Sequence, residues 1–328
     1  MKVGIDYHIF REAFNLEPYP TVEKAHQLGF EGMVFSTNLF GEEDSSHEKL
    51  RSLVEYAKGL GMYAQMNVAM CNPVQAGMEE SELQKLLISQ IKASSYAGCH
   101  ELGSLVTIYD ERYTHSVPWE THLARSIGFI NSLRPALEQY GCRINIENHG
   151  DTTFEIVKIV EHTGPDICGI CLDTANVWVN GEDPVMAARR VAPYTHMTHV
   201  KDGILVFTDK GVRRQGKPPG QGVLDFERVL PILGEHNPEL PLTIEDHKWL
   251  FDFNLFERRW MEKNPELTAL ELAQVLKHAW RTEQKIARGE IPDVEQYEAI
   301  PFGEQMLERV LYGCQYLKEL LIKMQLTQ

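Results

Sequence analysis

Arg143-Ile144-Asn145-Ile146-Glu147-Asn148-His149-Gly150-Asp151 is the stretch whose reading decides the fold. An apolar, strand-like run ends in a carboxylate, an amide and an imidazole, and a helix start follows at Asp151-Thr152-Thr153. The same grammar recurs three times downstream. Ile167-Cys168-Gly169-Ile170-Cys171-Leu172 runs into Asp173-Thr174-Ala175-Asn176, and Tyr194-Thr195-His196-Met197-Thr198 into His199-Val200-Lys201-Asp202. Leu240-Pro241-Leu242-Thr243-Ile244 runs into Glu245-Asp246-His247. Four short apolar runs, each ending in a metal-capable side chain, read as neighbouring parallel strands that carry Glu147, Asp173, His199 and Glu245 to one rim.

Outward from that stretch, strand and helix signals alternate over the first 250 residues. Strands are expected at residues 3–6, 32–36, 63–68, 105–109, 143–148, 167–173, 197–201 and 242–245. Helices are expected at 21–28, 46–60, 79–96, 119–140, 152–161, 183–191 and 225–234, with Pro118 opening one and Gly29, Gly61, Gly98 and Gly141 closing others. Alternation of this kind implies a parallel sheet with right-handed crossovers. Eight units suit an α/β fold of the (β/α)8 TIM-barrel class, whose catalytic groups stand at the C-terminal ends of the strands. An open doubly wound sheet is the alternative, but no Gly-rich dinucleotide fingerprint follows the first strand.

Two stretches depart from the alternation. Residues 205–222 read as an irregular insertion with a hairpin turn at Asp209-Lys210-Gly211, placed to cover the rim as a lid. Beyond Glu245 the pattern turns helical, at 254–263, 267–288 (with Leu267, Leu270, Leu272, Val275 and Leu276 as its apolar stripe) and 302–323, with Gly289 as a stop. The division expected is a catalytic barrel over 1–253 and a helical extension over 254–328, which packs across the barrel or supports a homo-oligomer or a partner subunit.

Composition limits the function. The chain has 328 residues, 43% hydrophobic and 24% charged, ordinary for a globular protein. Its formal charge of −15, from 32 basic and 47 acidic residues, argues against nucleic acid as a partner. No apolar run suggests a membrane span and the N-terminal residues do not resemble a signal peptide, so a cytoplasmic location is expected. Six cysteines in a chain this long do not suggest a disulfide framework, and Cys99, Cys168 and Cys171, in apolar settings, read as buried thiols. Cys168 and Cys171 share the spacing of a zinc knuckle, but on a strand they point to opposite faces.

Two or three carboxylates with one imidazole suit a divalent ion, Mn²⁺ first, with Mg²⁺, Co²⁺ or Zn²⁺ as alternatives. Taken singly, Asp173 reads equally as a helix cap and His199 as a core histidine. Taken together, three carboxylates buried without a cation would cost several kcal/mol each. By the two-residue repeat of a strand, His149 shares the face of Glu147, Lys201 that of His199, and His247 that of Glu245. His149 and Lys201 are therefore placed to act on substrate oxygens. The competing readings are a capping role for His149 and an ion pair with Asp202 for Lys201. His8, His247 and Trp178 are candidate substrate contacts. Arg213 and Arg214, in the lid-like stretch, are set up either to hold a carboxylate or phosphate or to lie idle in solvent.

These motifs, with Gly220-Gln221-Gly222-Val223-Leu224-Asp225-Phe226, resemble the xylose-isomerase-like barrel superfamily of sugar isomerases, ketose 3-epimerases, inosose dehydratases and endonuclease IV. The resemblance spans roughly residues 1–250. It implies one divalent ion held by Glu147, Asp173, His199 and Glu245, with Glu147 and Glu245 doubling as acid and base. A finer resemblance, carried by Gly181-Glu182-Asp183-Pro184, is to members acting on oxidised sugars or sugar acids, including 3-oxo-isoapionate decarboxylase and C-glycoside deglycosidases. The function expected is a sugar or sugar-acid isomerase or epimerase working through a metal-stabilised enediolate. The alternative is a lyase on a 3-oxo sugar or sugar acid. A nuclease is disfavoured by the charge and by too few rim histidines, and a barrel that has lost catalysis by the presence of all four ligands.

Overall fold

In the computed structural model, which describes residues 1–41, 44–108 and 111–327, parallel strands close into a barrel. They are β1 (Lys2–Asp6), β2 (Gly32–Ser36), β3 (Tyr63–Asn67), β4 (Glu101–Ser104), β5 (Arg143–Glu147), β6 (Cys168–Asp173), β7 (Thr195–Val200) and β10 (Pro241–Ile244), the last sealing the ring between β7 and β1. The TIM barrel expected from the sequence is the observed fold. β6 is buried along its whole length and β5 on all but its first residue, because helices cover one face and the barrel interior the other.

The barrel interior alternates bulk with its absence. Tyr63 lies across the ring, its hydroxyl 2.8 Å from Thr243 Oγ1. It fits because β1 and β2 present Gly4 and Gly32: a Cβ on Gly32 would stand 2.0 Å from Tyr63 Cδ1. Gly103 yields in the same way to Asn67, whose Oδ1 would lie 2.3 Å from an added Cβ.

That glycine explains a misplaced strand. β4 is Glu101–Ser104, not the more apolar 105–109; Tyr109 lies outside the described residues. Glu101 and Gly103 look unlike strand residues until their partners are known. Glu101 accepts from Asn145 Nδ2 at 2.8 Å inside the barrel, and Gly103 makes room for Asn67. The apolar run beyond Ser104 leaves the sheet above the rim, where the Leu105 carbonyl accepts from Cys71 N at 2.8 Å.

The stretch expected as an irregular lid is also regular. β8 (Asp202–Thr208) and β9 (Gly211–Lys217) form an antiparallel hairpin turning at Asp209 and Lys210, and β11 (Leu250–Phe253) adds to β9 as a third strand. Only the glycine- and proline-rich residues after Lys217 are loop. Its motif closes on one carboxylate: Asp202 accepts backbone N–H groups from Gly203, Gly220, Gly222 and Leu224. Burial pushes that carboxyl up, to about 7, against the pull of those four donors.

Of the C-terminal helices, Phe302–Lys323 has the expected bounds and packs on β1 and β10, closing the outer ring. Arg309 on that helix grips Asp246 with Nε and Nη2, both at 2.7 Å, beside the end of β10. The helix Ala269–Ala287 lies along β8 and stops at Gly289, whose φ is +69°. Leu270 of its expected stripe faces solvent instead, while Glu271 is buried, capping the helix through Thr268 and receiving Arg190. The segment expected as helix over 254–263 is helical only at Arg258–Glu262.

Candidate functional site

β5, β6, β7 and β10 stand side by side in the ring, so their C-terminal ends share one arc of the rim. Glu147 closes β5, Asp173 closes β6, His199 precedes the last residue of β7 and Glu245 follows β10. Register holds them level, with Asp173 opposite His199 and His199 opposite Thr243. One donor atom from each of the four lies within 4.8 Å of the others. His199 Nδ1 is 3.1 Å from Glu147 Oε2 and 3.1 Å from Glu245 Oε2. Lys201 Nζ sits 2.8 Å from Asp173 Oδ2 and 2.6 Å from Glu245 Oε2.

Local hydrogen bonds fix each ligand. Asn148 and Asp173 tie β5 to β6 reciprocally, the Asn148 amide donating to the Asp173 carbonyl at 2.9 Å and its oxygen accepting from Asp173 N at 2.7 Å. Thr174 does the same for β7: its hydroxyl donates to the Lys201 carbonyl and accepts from Lys201 N. Asp173 Oδ1 accepts from Ala175 N and Asn176 N, both at 2.9 Å, while Oδ2 faces Lys201. The capping and ligand readings of Asp173 are thus compatible, one oxygen serving each. Lys201 is paired with Asp173 and Glu245, not with Asp202, which is occupied by backbone donors.

The charges support one another. Burial would lift the Glu147 and Glu245 carboxyls, but His199 holds Glu147 below the usual range, and Lys201 with His199 holds Glu245 well below it. Burial would likewise discharge His199, yet Cys171 and the two glutamates raise it well above an ordinary histidine. At the end of β1, Asp6 is pushed up by burial and by the charge of Glu245.

A cavity of about 270 Å³ opens on this cluster, lined among others by Glu147, His149, His199, Lys201 and Glu245. His149, placed there by the i+2 argument, has an Nδ1 with no hydrogen-bond partner among the described residues. His247 stacks on Trp249, ring centroids 4.2 Å apart, and burial together with the charge of Lys201 keeps it neutral. None of the three expected substrate contacts, His8, Trp178 and His247, is itself a lining residue. His8 is exposed on the first turn of helix Tyr7–Phe14, where Asp6 caps its N–H. Trp178 is fully buried, its ring against Gly203, and does not line the cavity.

The sequence reading passed over Trp249, Cys171, Asn176 and Asp6. Trp249 was findable, since the face that carries Glu245 and His247 continues to it by the same step of two. Cys171 lines the cavity although its strand reads as pure core. Arg213 and Arg214 divide once their segment is known to be a strand: Arg213 is partly exposed and bridged to Asp252, whereas Arg214 is 1% exposed.

Fold and site define the class. The model of the xylose isomerase-like TIM barrel family matches residues 22–277, and the chain belongs to that family. Inosose dehydratase of Clostridium beijerinckii is 27% identical over 175 residues, 44% of this chain and 58% of that protein, so under two thirds of the relative is spanned. D-psicose 3-epimerase of Clostridium cellulolyticum H10, solved with D-tagatose, superposes with a TM-score of 0.63 at 15% identity, over 87% of this chain and 99% of that one. The IolI protein, solved with a zinc atom, superposes at 0.58 with 17% identity, over 89% and 100%. At these identities the structural likeness is one of fold. No helix among the described residues is long and apolar enough to cross a membrane.

Proposed function

We propose that this chain is a divalent-metal-dependent enzyme that moves a proton at the carbon beside a carbonyl of a sugar or sugar acid, as an epimerase or isomerase. The observation that carries the reading is the pair Glu147 and Glu245. They stand on non-adjacent strands, on either side of His199, each 3.1 Å from its Nδ1. Two ionised carboxylates so placed address a bound carbon from two sides.

The donor set fits a cation: three buried or half-buried carboxylates, and one imidazole whose Nε2 has no hydrogen-bond partner among the described residues. Glu147, Asp173, His199 and Glu245 would hold it, and oxygen-rich ligation favours Mn²⁺ over softer choices, with Mg²⁺, Co²⁺ and Zn²⁺ as alternatives. The ion supplies positive charge that acidifies the hydrogen beside the carbonyl. One glutamate takes that proton and the other, or the same one, returns it. Return to the opposite face inverts the centre, and return to the neighbouring carbon moves the carbonyl. The Lys201 ammonium and His149 lie where they would hold substrate oxygens as charge builds on them. Asp173, tied at both its backbone N–H and its carbonyl to Asn148, keeps the geometry rigid.

A lyase is the second reading, favoured by the sequence match to inosose dehydratases. Either the same proton removal expels a group from the next carbon, with Lys201 or His149 delivering its proton, or a carboxylate beside the carbonyl leaves as CO₂, its bonding electrons passing to the carbonyl until a proton is returned to the vacated carbon. Residues 254–328 are proposed as an extension that closes the barrel through Phe302–Lys323.

Incubation of the Mn²⁺-loaded protein in D₂O with ketohexoses, inososes and 3-oxo sugar acids tests both readings by NMR. Deuterium wash-in with a new stereoisomer or moved carbonyl supports the first, and loss of water, CO₂ or an aglycone the second. Glu147→Gln and Glu245→Gln should each lose exchange and Mn²⁺ affinity together. Wild-type exchange in either variant would sink the assignment.

A further inference from the structure

Arg214 is a buried cation without a carboxylate of its own. It sits on β9, 1% exposed, its stem packed against Gly203, where an added Cβ would stand 3.2 Å from its Cγ. Nη1 donates to Asn176 Oδ1 at 3.0 Å, and Asn176 Nδ2 in turn approaches Glu147 Oε1 at 3.4 Å. The guanidinium lies 4.6 Å from the centre of the Phe251 ring. Nε and Nη2, both buried, have no hydrogen-bond partner among the described residues. Those two atoms form one edge of the guanidinium, the edge that grips a carboxylate side-on. The molecule uses it twice elsewhere, on Asp252 from Arg213 and on Asp246 from Arg309. In Arg214 the same edge is open.

The relay through Asn176 sets the guanidinium one amide away from Glu147. The charges of Asp173 and Glu245 offset the burial that otherwise disfavours its own. A buried, half-satisfied guanidinium is costly, and a planar anion supplied with the substrate removes that cost.

We propose that Arg214 is a substrate-anchoring residue whose Nε–Nη2 edge binds a carboxylate of the substrate, making sugar acids rather than neutral sugars the substrate class. The assignment rests on the metal-centred reading above for the remainder of the substrate. The hairpin that carries Arg214 is then a specificity element rather than a lid.

Calorimetric titration tests it, with D-glycerate, L-threonate and D-gluconate each set against the polyol of the same length. Wild-type protein is titrated with Mn²⁺ and again in EDTA, alongside Arg214→Gln and Arg214→Lys. The acids should bind the wild type at least tenfold tighter than their polyols. Arg214→Gln should erase most of that margin, about tenfold to a hundredfold, and leave the Mn²⁺ Kd within about threefold. Arg214→Lys, which keeps the charge but loses the fork, should fall between and guards against misfolding of the glutamine variant. The Arg214 Nε–H resonance should shift with acids and not with polyols. Acids and polyols binding alike, or neither binding, overturns the proposal, as does an acid preference surviving in Arg214→Gln. Inorganic phosphate outcompeting the acids overturns the carboxylate assignment. Failure of Mn²⁺ to bind sinks the metal reading alone, because the acid preference in EDTA reports on Arg214 independently.

Discussion

Replacing Lys201 by methionine should weaken the empty protein and tighten its grip on a cation. The ammonium is 8% exposed and stands 2.8 Å from Asp173 Oδ2 and 2.6 Å from Glu245 Oε2, so it neutralises two carboxylates that burial would otherwise leave uncompensated. Breaking a buried pair by removing one partner costs about 3–5 kcal/mol, and that loss is expected in EDTA. The same ammonium repels an incoming ion. At an effective dielectric of about 20, two unit charges about 4 Å apart interact by about 4 kcal/mol. Even a third of that, about 1.4 kcal/mol, makes Mn²⁺ bind about tenfold tighter once the lysine is gone. Ion binding to the folded state alone stabilises by about 2.7 kcal/mol at a hundredfold excess over Kd, so saturating Mn²⁺ should draw the two proteins together. Urea unfolding with EDTA and with Mn²⁺, alongside calorimetric titration of the ion, measures both arms. A variant as stable as wild type in EDTA, or one binding Mn²⁺ more weakly, would refute the idea that Lys201 and the ion share these carboxylates.

Asp151 gives a pH-dependent test. Burial first, then the charge of Glu155, pushes its carboxyl up to about 8. Because the folded value lies above the unfolded one, the stability it contributes is fully present below about pH 4 and is lost as pH rises through 8, a change of a few kcal/mol. Asp151→Asn does not titrate, so denaturant melts between pH 5 and 9 should show wild type losing ground to the variant; parallel curves would contradict this. Gly32→Ala places a methyl 2.0 Å from the Tyr63 ring inside the barrel. It should cost about 3 kcal/mol or abolish folding, and a urea midpoint unchanged from wild type would show that the ring has room to move.

The sequence exposed the rim better than what surrounds it. Glu147, Asp173, His199 and Glu245 were legible because each terminates an apolar run, and a parallel barrel brings strand ends together whatever the loops do. His149 followed from the step of two and does line the cavity. β4 was misplaced because Glu101 and Gly103 are explained only by Asn145 and Asn67, residues far away in the chain. The hairpin turn at Asp209-Lys210-Gly211 was legible, but the strand after it was hidden by its composition. Gly211, Arg213, Arg214, Gln215 and Gly216 have little strand character of their own, and take it from pairing with β8 and β11 on either side. Arg213 and Arg214, adjacent in the chain, differ in burial because successive residues of a strand face opposite ways. Trp178, an aromatic five residues beyond a ligand, could not be told from a pocket wall without knowing that its ring packs against Gly203.

The three-stranded sheet above the rim has an evolutionary consequence. β8 begins three residues after His199, β11 begins five residues after Glu245, and β9 pairs with both. The excursions that follow two different ligands are thus a single heritable unit. A deletion in one strips the other of its hydrogen-bonding neighbour and leaves a bare strand edge. Among relatives, the two connections should lengthen or shorten together, and a chain that has shed the hairpin should have shed β11 with it.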